Sequence, residues 1–232
     1  MNYAIIAAGE GSRLVQEGLH TPKPLVKLNG VPMIKRLIDI FMECNAESIS
    51  IIINSEMVEV KEYLQTLKLD IPFNLVVKST PSSMHSFYEL SKVMGMDGKF
   101  CLTTVDTIFK SEEFKRYISA FECDNISDGM MAITSYIEDE KPLYVEVDID
   151  MDIVGFRDES WEDAKYISGG IYALNASAIS VLHECVNRGV ARMRNFQREL
   201  IASGLKLKGF PMGKIIDVDH ITDIPVAEEF IK

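Results

Sequence analysis

Apolar residues return along the chain in two rhythms. Short unbroken runs closed by turn residues predict strands over 3–8, 48–54, 73–77, 100–105, 130–136, 144–148, 170–174 and 205–210. Between the earlier runs, apolar positions recur every three or four residues. Met33, Ile34, Leu37, Ile38, Phe41 and Met42 form one such stripe behind Pro32, a residue that a helix's first turn tolerates. Met57, Val60, Leu64 and Leu67 form another, with Ser55 as its candidate cap. Leu90 and Met94 follow Ser86 and Glu89, a candidate capping box, while Phe114, Ile118 and Phe121 follow Ser111, a further candidate cap. The early strands are apolar at successive positions, so both faces of their sheet need covering. The alternation predicts an α/β fold with a mixed, Rossmann-like central sheet covered by helices on both faces.

At 232 residues the chain suits one domain, 1–232. An acidic, hairpin-like stretch interrupts the alternation over about 136–170. It is either an excursion walling a binding pocket or a solvated surface hairpin. No stretch reaches the roughly 18 uninterrupted apolar residues of a membrane span, and Met1-Asn2-Tyr3 runs into a strand without a basic leader. These features predict a cytoplasmic protein with no membrane partner. Cys44, Cys101, Cys123 and Cys185 are isolated and read as small core residues, without disulfide or zinc spacing. A net charge of −11 argues against nucleic acid as a partner. It also means that any site for a triphosphate must be locally basic or bridged by a metal.

The first predicted strand ends in Gly9-Glu10-Gly11-Ser12-Arg13, and Pro22-Lys23-Pro24 follows. Glycines leave no Cβ between backbone and ligand, so Ala7, Ala8, Gly9, Gly11 and Ser12 bring main-chain groups to a nucleotide. Arg13 adds a planar fork for phosphate, and Lys23 adds a point charge. A third glycine is missing where a dinucleotide fingerprint requires one, at Leu14. The Gly-Lys-Ser/Thr closure of a P-loop is missing too.

On these residues the chain resembles the sugar-phosphate nucleotidyltransferases, or nucleoside-diphosphate-sugar pyrophosphorylases. Later pieces in matching order are Thr103-Thr104-Val105-Asp106, Gly169-Gly170-Ile171-Tyr172 and Ile216-Asp217-Val218-Asp219. The resemblance implies Mg²⁺-dependent transfer of a nucleotidyl group from a nucleoside triphosphate to a phosphorylated small molecule, releasing pyrophosphate. A sugar 1-phosphate is its first choice of acceptor and phosphocholine its second. It implies that Arg13 grips the departing phosphates, that Lys23 neutralises the α-phosphate and its attacker, and that Asp106 and Asp217 hold the metal. Asp219 stands as the alternative to Asp217. Ser82 and Ser83 occupy the place of a base-reading loop, where they either meet a base edge or cap the following helix. Gly169 and Gly170 match a loop that contacts the sugar, or serve only close backbone packing. Val105 departs from the glycine many relatives carry before the metal aspartate.

Asp148-Ile149-Asp150 contains a DxD pattern but reads as part of the acidic hairpin. His20, His85, His183 and His220 lack metal-ligand spacing. The rival to an enzyme is a non-catalytic nucleotide-sugar sensor, which would not need Arg13, Lys23, Asp106 and Asp217 together. The sequence does not fix nucleobase, acceptor or oligomeric state.

Overall fold

The computed structural model describes residues 1–95, 98–138 and 140–232. β1 (Asn2–Ala7) leads through the short helix α1 (Ser12–Gln16) to a small hairpin, β2 (Lys27–Leu28) and β3 (Val31–Pro32). Helix α2 (Met33–Glu43), β4 (Ser48–Ile53), α3 (Val58–Thr66), β5 (Phe73–Val77), α4 (Ser83–Ser91) and β6 (Phe100–Thr104) continue the alternation. β7 (Thr107–Ile108) and α5 (Ser111–Cys123) precede β8 (Gly129–Thr134), β9 (Tyr144–Val147), β10 (Ile153–Arg157) and β11 (Tyr166–Leu174). Helices α6 (Ser177–Asn187) and α7 (Met193–Ala202), strands β12 (Leu207–Pro211) and β13 (Ile216–Asp217), and α8 (Asp223–Phe230) follow.

The main sheet runs β10-β9-β11-β6-β1-β4-β5, with β8 paired to both β11 and β12. β6, β1, β4 and β5 are parallel, with Ile5 opposite Thr103 and Ile51, and Ile51 opposite Leu75. Their carboxyl ends therefore share one edge, where α/β sheets bind ligands. β11 lies antiparallel to β6, with Ile171 opposite Thr103, so the residues entering this pairing reach the same edge. Strands β9 and β10 of the 136–170 segment extend the sheet beyond β11. The hairpin's DxD lies in their turn, where Asp148 Oδ1 accepts the N–H groups of Asp150 and Asp152.

Alternation along β1 sends Tyr3, Ile5 and Ala7 to one face and Ala4 and Ile6 to the other. The first set packs with Leu37 and Phe41 of α2, Val60 and Leu64 of α3, and Phe114 and Phe121 of α5. The second packs with Met84 and Phe87 of α4, Leu182 of α6, and Phe196 and Leu200 of α7. Burying each such side chain contributes roughly 1.5–3 kcal/mol, which is what holds the helices to both faces. A third cluster joins Leu14, Leu28 and Met33 to Ile108, Ile216, Val218 and Ala227. It fixes α1, β7, β13 and α8 together at the carboxyl edge.

Several local expectations change. Pro32 is the N-cap of α2 and belongs to β3. Ser55 does not cap α3, which begins after Met57; its hydroxyl meets Ser79 Oγ at 2.5 Å. Ser86 lies inside α4, bonded to Thr80 Oγ1, and Glu89 pairs with Lys78 and Lys92, so no capping box forms. Ser111 is already helical behind the N-cap Lys110. Ser55 and Ser86 have other partners, while Pro32 and Ser111 stand one residue from the expected position. Cys123 is exposed rather than in the core. Helices α6, α7 and α8 and the two-residue strands β7 and β13 are additions to the predicted elements. No described helix is long and apolar enough to cross a membrane.

Candidate active site

Where β1 ends, the chain must turn sharply. Gly11 makes that turn as the N-cap of α1, at φ 60°, and a Cβ there would stand 3.1 Å from the Cβ of Lys23. Glycine thus lets the turn lie against the stem of Lys23. Lys23 opens a single 3-10 turn after Pro22 and is only 8% exposed. Its Nζ donates to Asp106 Oδ2 at 2.5 Å and to Asp219 Oδ1 at 2.6 Å. Arg13 Nη1 donates to the other oxygen of Asp219 at 2.7 Å, and Arg13 Nη2 pairs with Glu140 at 3.3 Å.

Asp106 stands two residues past the end of β6, after Val105 and immediately before β7. The two rungs between β7 and β13 set Thr107 opposite Asp217 and Ile108 opposite Ile216. Val218 N–H then donates to the carbonyl of Asp106, and Thr107 Oγ1 donates to Asp217 Oδ1 at 3.1 Å. This short ladder brings carboxylates from distant parts of the sequence to one place.

Burial opposes the charge on Lys23, but Asp106 and Asp219 overcome it and hold the ammonium pKa above its ordinary value. Burial likewise opposes charge on Asp106. The attraction of Lys23 and its hydrogen bond outweigh that, so the carboxyl titrates below its ordinary range. Arg13 and Lys23 stand among Asp106, Asp217, Asp219 and Glu140, a local excess of negative charge. Such hard oxygens suit Mg²⁺, which takes few protein carboxylates and completes its shell with water and phosphate. Asp219 gives one oxygen to each cation, Asp106 gives Oδ2 to Lys23, and Asp217 Oδ1 accepts from Thr107. Among the described residues, no group of three or more His, Cys, Asp or Glu forms a metal cage alone.

Two cavities meet at Asp106. The larger, about 570 Å³, is lined by Ala8, Gly9, Gly11, Ser12 and Lys23 on one side and by Asn54, Ser79, Ser82 and Ser83 on the other. The smaller, about 290 Å³, adds Ser168, Gly170, Tyr172, Arg192 and Gln197 to Asp106, Asp217 and Asp219. A further space, also about 290 Å³, lies beside Arg13, Gly169, Asp217 and His220. Ala7 is buried at the end of β1, behind the turn. All the sequence-derived candidates except Ala7 thus line one of three adjoining spaces.

Gly170 takes φ 72°, and a Cβ there would lie 2.8 Å from Thr107 Oγ1. The residue keeps β11 close to β7, which carries the site's floor. Gly170→Ala should therefore lower unfolding free energy by about 1–3 kcal/mol through backbone strain. Urea denaturation checks this; an unchanged midpoint would mean that Thr107 yields without cost.

Three residues on the acceptor-like side were not singled out by the sequence. Arg192, at φ 72°, precedes α7, and among the described residues its guanidinium has no ion pair or hydrogen bond. Arg194, by contrast, is taken by Asp158 and the carbonyl of Lys141. Gln197 is 2% exposed; its side-chain oxygen accepts from Ser168 Oγ, and the residue lines the smaller cavity. The available signal was Arg192-Met193-Arg194, a pair of cations where a glycine-bounded turn enters a helix.

Residues 3–148 match the model of the MobA-like NTP transferase domain. The chain is 21% identical to the bifunctional protein GlmU of Thermodesulfovibrio yellowstonii over an alignment of 246 positions, covering 100% of this chain and 52% of that protein. It is 29% identical over 115 residues to 2-aminoethylphosphonate cytidylyltransferase of Lancefieldella rimae, covering 48% of this chain and 45% of that one. The chain thus spans about half the length of the curated relatives it matches. The inositol-1-phosphate CTP transferase structure from T. maritima shares the fold, with a TM-score of 0.80 at 18% identity, covering 100% of this chain and 97% of that chain.

Proposed function

The chain belongs to the MobA-like NTP transferase domain family, and from that premise we propose that it is a Mg²⁺-dependent nucleotidyltransferase acting on a phosphorylated small molecule. The single observation that carries this reading is the shared wall of the two cavities. Asp106, Thr104 and Ser83 line both, with the glycine turn and Lys23 on one side and Arg192 and Gln197 on the other. A triphosphate in the larger space and an acceptor phosphate in the smaller would meet beside Lys23.

The attacking phosphate is already anionic, so the protein has little proton transfer to perform. Positioning and charge stabilisation dominate. In this reading the glycine turn offers main-chain N–H groups to the triphosphate. Lys23, fully protonated because two carboxylates hold it so, faces the charge that shifts as the α-phosphorus changes partners. Arg13 follows the departing pyrophosphate, exchanging its contact with Asp219 for phosphate oxygens. Arg192 meets the acceptor's phosphate, while Ser168, Tyr172 and Gln197 meet its hydroxyls. Asp106 and Asp217 would hold Mg²⁺, which when bound would supply positive charge to offset the site's carboxylates and the phosphates.

A sugar 1-phosphate is the first choice of acceptor. Phosphocholine, inositol 1-phosphate and 2-aminoethylphosphonate are the alternatives, the last two following the names of similar proteins. The test is a matrix of the common nucleoside triphosphates against these acceptors with Mg²⁺, detecting pyrophosphate. One productive pair is expected. Tight binding of a nucleotide sugar with no pyrophosphate from any pair would instead identify a sensor.

A further inference from the structure

Ser82 holds the N-cap position of α4 in an extended backbone, yet its side chain makes no capping bond to the helix. An N-cap serine ordinarily accepts an N–H from its own first turn. Here the hydroxyl reaches across to the α6–α7 turn, where Ser82 Oγ accepts the N–H of Arg192 at 3.2 Å, a contact spanning 110 positions of sequence. The same oxygen lies 2.9 Å from His85 Nδ1, so the ring and the Arg192 amide are both its partners. At φ 72° and ψ 140°, Arg192 is in a region that a side chain bearing a Cβ seldom enters without an external restraint.

We infer that Ser82 is a positioning residue rather than a reader of the nucleobase: it pins the strained turn at Arg192 and so sets where that side chain, which lines the smaller cavity, leaves the backbone. The inference rests on the proposed function for what the cavity holds. The base-side loop and the acceptor-side turn are thereby tied at one atom. A base donor taking the lone pair that holds the Arg192 amide would release that turn, which makes Ser82 a poor base contact. Ser83, which lines both cavities, remains free of this duty.

Ser82→Ala removes one hydrogen bond, so the acceptor KM should rise roughly 5–10-fold while the triphosphate KM and nucleobase preference stay within about twofold. Ser82→Thr, which keeps the acceptor oxygen, should restore the wild-type value. Glycine adopts the Arg192 backbone without strain, so Arg192→Gly removes the side chain together with the strain that Ser82 offsets. Adding Ser82→Ala to Arg192→Gly should give no further rise, because Ser82 acts through Arg192. In the free protein, amide hydrogen exchange at Arg192 should quicken in Ser82→Ala. Unchanged exchange at that amide overturns the inference, as does a rise in triphosphate KM with acceptor KM unmoved, or additive effects in the double variant. Absence of pyrophosphate from every pair with wild-type protein would defeat the proposed function instead, and the exchange measurement would still decide whether Ser82 pins the turn.

Discussion

Lys23→Ala is expected to lower turnover by at least about 100-fold, the usual scale for losing one preorganised charge-stabilising group. The geometry makes the case. Lys23 is nearly buried, packed against Gly11, and aimed by Asp106 and Asp219 at the point where the two cavities join. Its two restraints mean that little reorganisation is left for the reaction step. In the proposed reaction the cation faces charge that moves during transfer, so the loss should persist at saturating triphosphate. A defect confined to the Michaelis constant would recast Lys23 as a docking group. Removing Lys23 also leaves Asp106 without its cation, so thermal unfolding must be measured alongside and rates expressed per folded protein. Arginine should not rescue, since its planar fork does not match the compact ammonium held between Asp106 and Asp219. Arg13→Ala should lose turnover on the same scale. Its stability effect should be small, because Arg13 is 44% exposed and its ion pairs are screened by water.

The second large effect is expected at the carboxylates. Asp106→Asn and Asp217→Asn preserve side-chain size while removing the charge that a divalent ion needs, so each should reduce turnover by at least about 100-fold. Treatment with EDTA should abolish pyrophosphate release, and added Mg²⁺ should restore it. Near-wild-type rates for either variant at saturating Mg²⁺ would remove that residue from the metal assignment, and persistent release in metal-free assays would remove the metal. Asp219→Asn is the informative comparison. Its oxygens hold Lys23 and Arg13, so its loss should weaken the alignment of both cations more than metal affinity. If Mg²⁺ affinity falls with Asp219 and not with Asp217, the second ligand is Asp219.

The parts of this site nearest to regular secondary structure were the legible ones. The apolar run of β1 and the glycines behind it announced a strand and a turn for Arg13 and Lys23. The run of β6 announced that Asp106 would emerge at a strand's end. The resemblance supplied Asp217, and periodicity alone would not have done so: β13 and β7 are two residues each, too short for a pattern to register. Asp219's grip on both cations was equally hidden, because adjacent carboxylates two positions apart look alike in a chain this acidic. The α6 stripe of Ala178, Val181, Leu182 and Cys185 does stand at helical spacing. The value of Arg192 does not, since it depends on a backbone angle and on a serine brought close only by folding. Ser82 shows the converse limit. Its residue type fits a base contact or a helix cap, and the fold gives it a third use that local sequence does not encode.

The two-rung ladder between β7 and β13 also sets an order of events during synthesis. By the time a ribosome has released residues 3–148, the nucleotide-facing turn, Lys23 and Asp106 have all been made, yet the strand bearing Asp217 has not. A nascent chain at that stage contains Lys23 and Asp106 but neither Asp217 nor Asp219. Competence for transfer would therefore arrive late and abruptly, when a segment near position 216 docks against Thr107 and Ile108, and any fragment stopped before that point would be left without half of its carboxylates.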